Sequence, residues 1–110
     1  DDVRNSVAID LVNKLAAEGA QVAVYDPKGM LKAVEYKLLH PSVRLAESPL
    51  DAALGAEALL LATEWKEFTR QDFAGVKAKM HTPLLFDGRN LLNPKIMREI
   101  GFDYHAVGRP

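Results

Sequence analysis

The sequence predicts an α/β domain, a parallel sheet with helices on both faces, from three observations. Helical and strand-like segments alternate along the whole chain, as a sheet joined by helical crossovers requires. Two strand candidates, Glu57-Ala58-Leu59-Leu60-Leu61-Ala62 and Pro83-Leu84-Leu85-Phe86, lack polar alternation, as strands covered on both faces do. The composition is that of an ordinary globular domain, 48% hydrophobic and 26% charged over 110 residues. That length favours one domain, and residues 1–110 are read as one.

Each element has a local reason. From Asn5 onward the apolar positions Val7, Ala8, Leu11, Val12, Leu15 and Ala16 recur at helical spacing, with Asn5 or Ser6 as cap and Gly19 as stop. Residues 1–4 are then an opening loop. Gln21 to Tyr25 is a β-branched and aromatic run that ends at Asp26-Pro27, a strand. Lys28 to Leu39 carries Met30, Leu31, Val34 and Leu38 at helical spacing and stops before His40-Pro41. Val43-Arg44-Leu45 has the length of an edge strand. Ser48-Pro49-Leu50-Asp51 supplies a cap, an N1 proline and an acid at N3 for a helix to Leu54. Alanine and leucine alone would permit helix over Glu57 to Ala62, but the flanking turns favour a strand. Phe73 to Met80 reads as a helix, Pro83 to Phe86 as a strand, Asn93-Pro94 as the start of a helix closed by Gly101, and Phe102 to Val107 as the last strand.

In doubly wound sheets the first strand is central and precedes the first helix, whereas this sequence opens in a loop before its first helix. The expected sheet therefore has the order 3-2-1-4-5-6 with position 1 vacant, and the chain is expected to be a fragment of a longer one.

Fourteen Lys plus Arg against fifteen Asp plus Glu leave a net charge of -1, too weak a field to hold a nucleic-acid backbone or an anionic membrane. The cysteine count is zero, which excludes a disulfide framework, a thiolate metal site and a cysteine nucleophile in these residues. No segment approaches the ~18 to 20 apolar residues of a membrane span, and the chain is read as soluble and intracellular. His40, His81 and His105 are scattered without ligand spacing, so they are read as surface residues and no metal is expected. There is no Gly-x-Gly-x-x-Gly, no Gly-Lys-Ser/Thr and no serine elbow.

Ligands of open parallel sheets bind beyond the carboxyl ends of the strands. Those positions carry Asp26-Pro27, Thr63-Glu64-Trp65 and Asp87-Gly88-Arg89-Asn90, with Asp1, Asp2 and Arg4 added by the N-terminal loop. Arg4 and Arg89 have planar forks suited to a bidentate hold on phosphate or carboxylate, which points to an anionic small molecule. Blander readings stand beside these. Arg89 follows an ordinary turn dipeptide and would serve equally as a solvated turn residue. Arg4 would pair with Asp1 or Asp2, and Trp65 would anchor a loop on the core rather than stack on a base.

Asp1-Asp2-Val3-Arg4-Asn5-Ser6, Val24-Tyr25-Asp26-Pro27, Thr63-Glu64-Trp65 with Glu67-Phe68, Phe86-Asp87-Gly88-Arg89-Asn90, and Gly101-Phe102-Asp103-Tyr104 with Gly108-Arg109 follow one another in a specific order. In that order and spacing the chain resembles, from end to end, the C-terminal UDP-sugar-binding domain of the UDP-glucose/GDP-mannose dehydrogenases. The resemblance implies a Rossmann-like three-layer α/β/α fold that closes over a nucleotide-sugar. It also implies a parent enzyme with an N-terminal domain that binds NAD and a central domain that makes a homodimer in the cytoplasm. The implied reaction is an NAD-dependent, four-electron oxidation of the sugar C6 hydroxyl to a carboxylate, UDP-glucose to UDP-glucuronate, through a cysteine thioester. That cysteine would lie elsewhere in the parent, so no catalytic residue is assigned here and the chain alone is expected to be inactive.

Carried onto matching positions, Arg4 resembles the arginine that reaches NAD, and Arg89 the one that contacts the UDP-sugar. Asn5 stands where the family commonly has glutamate. The strand and the Gly-x-x-Phe-Lys segment that precede Asp-Asp in the family, with their substrate-binding lysine, are not in this sequence. A second reading, a non-catalytic nucleotide-binding or regulatory α/β module, remains open on the residues themselves.

Overall fold

A computed structural model of the chain describes residues 2–25, 39–62 and 66–107. The chain falls into two units, Asp1–Ser48 and Pro49–Pro110. Strands in both are parallel, so the α/β class with parallel sheets is what the residues build.

In the first unit, helix α1 (Asp2–Ala17) leads to strand β1 (Val22–Val24), which pairs in parallel with β2 (Val43–Leu45), Val22 opposite Val43 and Val24 opposite Leu45. The bond from Ala46 N–H to the Val24 carbonyl, 2.7 Å, carries the ladder one residue further. Helix α1 starts earlier than its sequence suggests. Asn5 and Ser6 are good caps, but nothing between Asp2 and Arg4 breaks a helix, so the helix runs back through them and the expected opening loop is absent over Asp2 to Arg4. Its buried stripe is also displaced. Ile9 and Ala16 are buried with half-buried Val12 and Asn13 between them, an i, i+3, i+4, i+7 set, while Leu11 and Leu15 are exposed. Asn13 is on this stripe for a reason: its Oδ1 accepts the His40 N–H at 2.8 Å. His40 is therefore half-buried rather than a surface residue, and its ring Nδ1 accepts the Ser42 N–H at 3.1 Å. The helix expected over Lys28 to Leu39 lies almost wholly outside the described residues.

The second unit contains α2 (Pro49–Ala53), β3 (Leu59–Leu61), a 3-10 turn (Lys66–Arg70), α3 (Phe73–Lys79), β4 (Leu84–Asp87), α4 (Pro94–Ile100) and β5 (Asp103–Ala106). Its strands form one parallel sheet in the order β3-β4-β5. Leu60, Phe86 and His105 stand in register, as do Leu61, Asp87 and Ala106. Among the described residues β1 and β3 each stand at the edge of their own sheet.

Alternate residues of this sheet have opposite fates. Leu61, Leu85, Asp87 and Tyr104 are buried on one face, together with Ala53, Phe73, Val76, Met97 and Phe102 from the helices and loops. Phe73 meets Phe102 edge to face, ring centroids 6.2 Å apart. On the other face Leu60 and Phe86 are each 41% exposed. The apolar run at 57–62 suggests cover on both faces, and among the described residues the face of Leu60 and Phe86 is the less covered of the two. Two right-handed crossovers that step in the same direction, β3 to β4 and β4 to β5, place their helices on the same side. Among the described residues no helix is long and apolar enough to cross a membrane.

Candidate functional site

The carboxyl ends of three parallel strands meet at one turn. Gly88 N–H donates to the Leu61 carbonyl at 3.0 Å and Val107 N–H to the Asp87 carbonyl at 3.4 Å, so the end of β4 is flanked on both sides. Gly88 must be small here, because a Cβ would lie 3.0 Å from the Leu61 carbonyl oxygen. The residues that follow, Arg89 and Asn90, project beyond the sheet and are exposed. Asn90 takes the left-handed conformation at φ 54°, one that asparagine tolerates better than most residues.

Beneath the turn lies Asp87, 1% exposed. It sits two residues after Leu85 in strand phase and therefore points into the core. Its Oδ1 accepts the Arg89 N–H at 3.1 Å, and its Oδ2 accepts the Leu92 N–H and the Tyr104 hydroxyl, each at 2.8 Å. Burial alone would raise this carboxyl's pKa. The N–H groups of Leu92 and Leu91, the Tyr104 hydroxyl and the Arg89 N–H outweigh burial and hold it below the ordinary carboxylate value. Tyr104 is buried as well, with the Arg98 guanidinium 5.7 Å from its ring centroid and donating to its carbonyl at 3.2 Å. One ionised carboxylate thus ties the loop after β4 to the middle of β5.

On the open face, beside the same strand ends, a hollow of about 190 Å³ is lined by Phe86, Asp87, Gly88, His105, Ala106 and Val107. It is smaller than the roughly 300 Å³ at which pockets begin to enclose a whole small-molecule ligand. The Phe86 and His105 rings stack on this face, centroids 5.3 Å apart, and His105 Nε2 lies 2.9 Å from Asp103 Oδ1.

Of the sequence-predicted residues, Arg89 is on the turn at the strand ends, with its backbone N–H anchored by Asp87. Arg4 belongs to the first turn of α1 in the other unit rather than to a loop. Asp1, Asp26, Pro27, Thr63, Glu64, Trp65, Gly108 and Arg109 lie outside the described residues. His81 and His105 are exposed. Among the described residues no three of His, Asp and Glu gather as a metal site would need. Sequence reasoning placed Asp87 on the rim but did not foresee its burial or its bond to Tyr104. The signal was present, since Asp87 continues the inward phase of Leu85, but Asp-Gly was read as an ordinary turn dipeptide.

Comparison with known proteins bears on the same residues. Residues 1–94 match the UDP-glucose/GDP-mannose dehydrogenase family, UDP binding domain. The UDP-glucose 6-dehydrogenase of Pseudomonas aeruginosa is 40% identical over 113 residues, which take in 100% of this chain and 25% of that protein. That of Rhizobium meliloti is 43% identical over 110 residues, 100% of this chain and 24% of its own length. UDP-glucose 6-dehydrogenase 2 of Oryza sativa is 35% identical over 129 residues, 99% of this chain and 27% of its own. The chain therefore spans about a quarter of the length of these relatives. By this match, which takes in the Asp87 to Asn90 turn, the chain belongs to the UDP-glucose/GDP-mannose dehydrogenase family and carries its UDP binding domain.

Proposed function

We propose that this chain is the nucleotide-sugar-binding part of an NAD-dependent UDP-glucose 6-dehydrogenase of the cytoplasm. In that reading Arg89 holds the UDP-sugar and Arg4 reaches the NAD. The observation that carries it is the turn at 87–90. An exposed arginine, its backbone held by a buried carboxylate, stands at the carboxyl ends of three parallel strands, in a chain whose relatives are named UDP-glucose 6-dehydrogenases. A guanidinium there offers two parallel N–H donors to a diphosphate or to sugar oxygens, and its rooted backbone limits the entropy lost on binding.

Two molecules of NAD would each accept one hydride from C6, water would hydrolyse the cysteine thioester to release the carboxylate, and that cysteine would come from other domains of the same homodimeric enzyme. The residues here fit a phosphate-bearing cofactor in their chemistry. Arg4 is in the first turn of a 16-residue helix, and its guanidinium is a fork suited to a phosphate. The role of this chain is to bind and orient.

The test is calorimetric titration of UDP-glucose, UDP and NAD into the full polypeptide that carries this chain, beside its Arg89→Ala and Arg4→Ala variants and a dehydrogenase assay. Loss of a charged hydrogen-bonding pair costs about 1.5 to 3 kcal/mol, so Arg89→Ala should weaken UDP-glucose about ten-fold to a hundred-fold and lower turnover. Arg4→Ala should weaken NAD and spare UDP-glucose. Unchanged UDP-glucose affinity and turnover in Arg89→Ala would reduce Arg89 to a turn residue.

A further inference from the structure

The contacts of Asp87 are directed to one place. Of its acceptor bonds, those from Arg89 N–H, Leu91 N–H and Leu92 N–H all hold the short loop between β4 and α4, and the remaining one, from Tyr104, roots that loop on β5. A carboxylate is an expensive group to bury, and an apolar residue in phase with Leu85 would fill the same space. What an apolar residue would not do is accept the N–H groups of the loop that carries Arg89.

We propose that Asp87 and Tyr104 act as a pair of positioning residues that set the backbone of Arg89, and hence its guanidinium, for the UDP-sugar. The inference rests on the reading of Arg89 as a nucleotide-sugar contact. Oδ1 fixes the residue from which the guanidinium departs, and Oδ2 fixes the far end of the loop at Leu92. The Tyr104 hydroxyl donates to that same Oδ2, so it holds the carboxylate in the rotamer that reaches both ends. Tyr104 cannot shift easily to follow a loosened loop, because it is 3% exposed and is clamped from the other side by Arg98. Bidentate recognition needs groups placed within roughly 0.5 Å, so a loop that loses these acceptors weakens ligand binding even with Arg89 intact.

The experiment compares Tyr104→Phe, Asp87→Asn, Arg89→Ala and the Tyr104→Phe/Arg89→Ala double variant in the full polypeptide, by steady-state kinetics and UDP-glucose titration. Removal of one hydroxyl should raise KM for UDP-glucose about two-fold to ten-fold, the effect of one lost hydrogen bond, with kcat and KM for NAD nearly unchanged. Asp87→Asn should act in the same direction and more strongly. In the Arg89→Ala background the Tyr104→Phe penalty should disappear, since residues acting through one another are not additive. A Tyr104→Phe penalty that persists in full without Arg89, or no penalty at all, overturns the proposal and leaves the pair a purely structural contact. If Arg89→Ala itself leaves UDP-glucose binding unchanged, the reading of Arg89 fails first and the positioning role goes with it. Should Asp87→Asn not fold, Tyr104→Phe decides alone, because it keeps the ring and its packing.

Discussion

Asp87 concentrates the chemistry of the second unit in one side chain, and its protonation has a consequence for stability as well as for binding. Its carboxyl is held below the ordinary aspartate value by the hydrogen bonds it accepts, which outweigh its burial. A group whose folded pKa is depressed stabilises the fold above its unfolded pKa, and that contribution is lost as the pH falls through the lower, folded value. Urea unfolding midpoints measured from neutral pH downward should therefore drop below about pH 4, where an unfolded aspartate takes up its proton. Asp87→Asn should start from a lower midpoint at pH 7 and show a shallower acid limb. Equal acid limbs in the two proteins would mean that other carboxylates dominate. The place of Arg89 just beyond a strand end was legible in the sequence because it is a local feature. The burial of Asp87 was not, because the partner that makes it tolerable, Tyr104, is 17 residues away on another strand.

The elements of the second unit are short, and their ends decide whether they form. Helix α4 has seven residues, well below the ~12 to 15 at which an isolated helix becomes even marginal in water. It is closed at both ends. Asn93 Oδ1 accepts the Ile96 N–H at 3.2 Å and Pro94 opens the first turn. At the other end Gly101, at φ 114°, donates to Arg98 while Phe102 N–H reaches back to the Met97 carbonyl at 3.1 Å, with both Phe102 and Met97 buried. Asn93→Ala should cost about 1 kcal/mol in urea unfolding, within the usual range for a lost cap. Gly101→Ala should cost at least about 1 kcal/mol, since alanine resists the left-handed conformation. Its Cβ would also lie 2.9 Å from Lys77 Cε, though the end of a lysine can move aside. A Gly101→Ala variant as stable as the parent would refute the cap argument. Caps of this kind were readable because they are local: Asn-Pro before an apolar run and Gly after it specify both ends. The start of α1 was not, because good capping residues at Asn5 and Ser6 do not stop a helix that meets no breaker upstream.

At the scale of the whole chain, the alternation of helices and strands was enough to specify parallel α/β pairing within each unit. Which face of each strand is covered did not follow. Leu59-Leu60-Leu61 and Leu84-Leu85-Phe86 are apolar throughout, so periodicity has nothing to read, and the answer depends on the handedness of crossovers that span many residues. The structure distinguishes the faces sharply: Leu85 is 0% exposed, while Leu60 on the adjacent strand is 41% exposed. Leu85→Ala should therefore cost about 2 to 5 kcal/mol, the loss of a buried side chain plus the cavity left behind. Leu60→Ala should cost well under half of that, because much of its side chain is already in water and no closed cavity forms. Urea midpoints at unchanged slope would measure both. Comparable penalties at the two positions would show that the Leu60, Phe86 and His105 face is covered in the protein in solution, and the one-sided packing of β3, β4 and β5 would have to be abandoned.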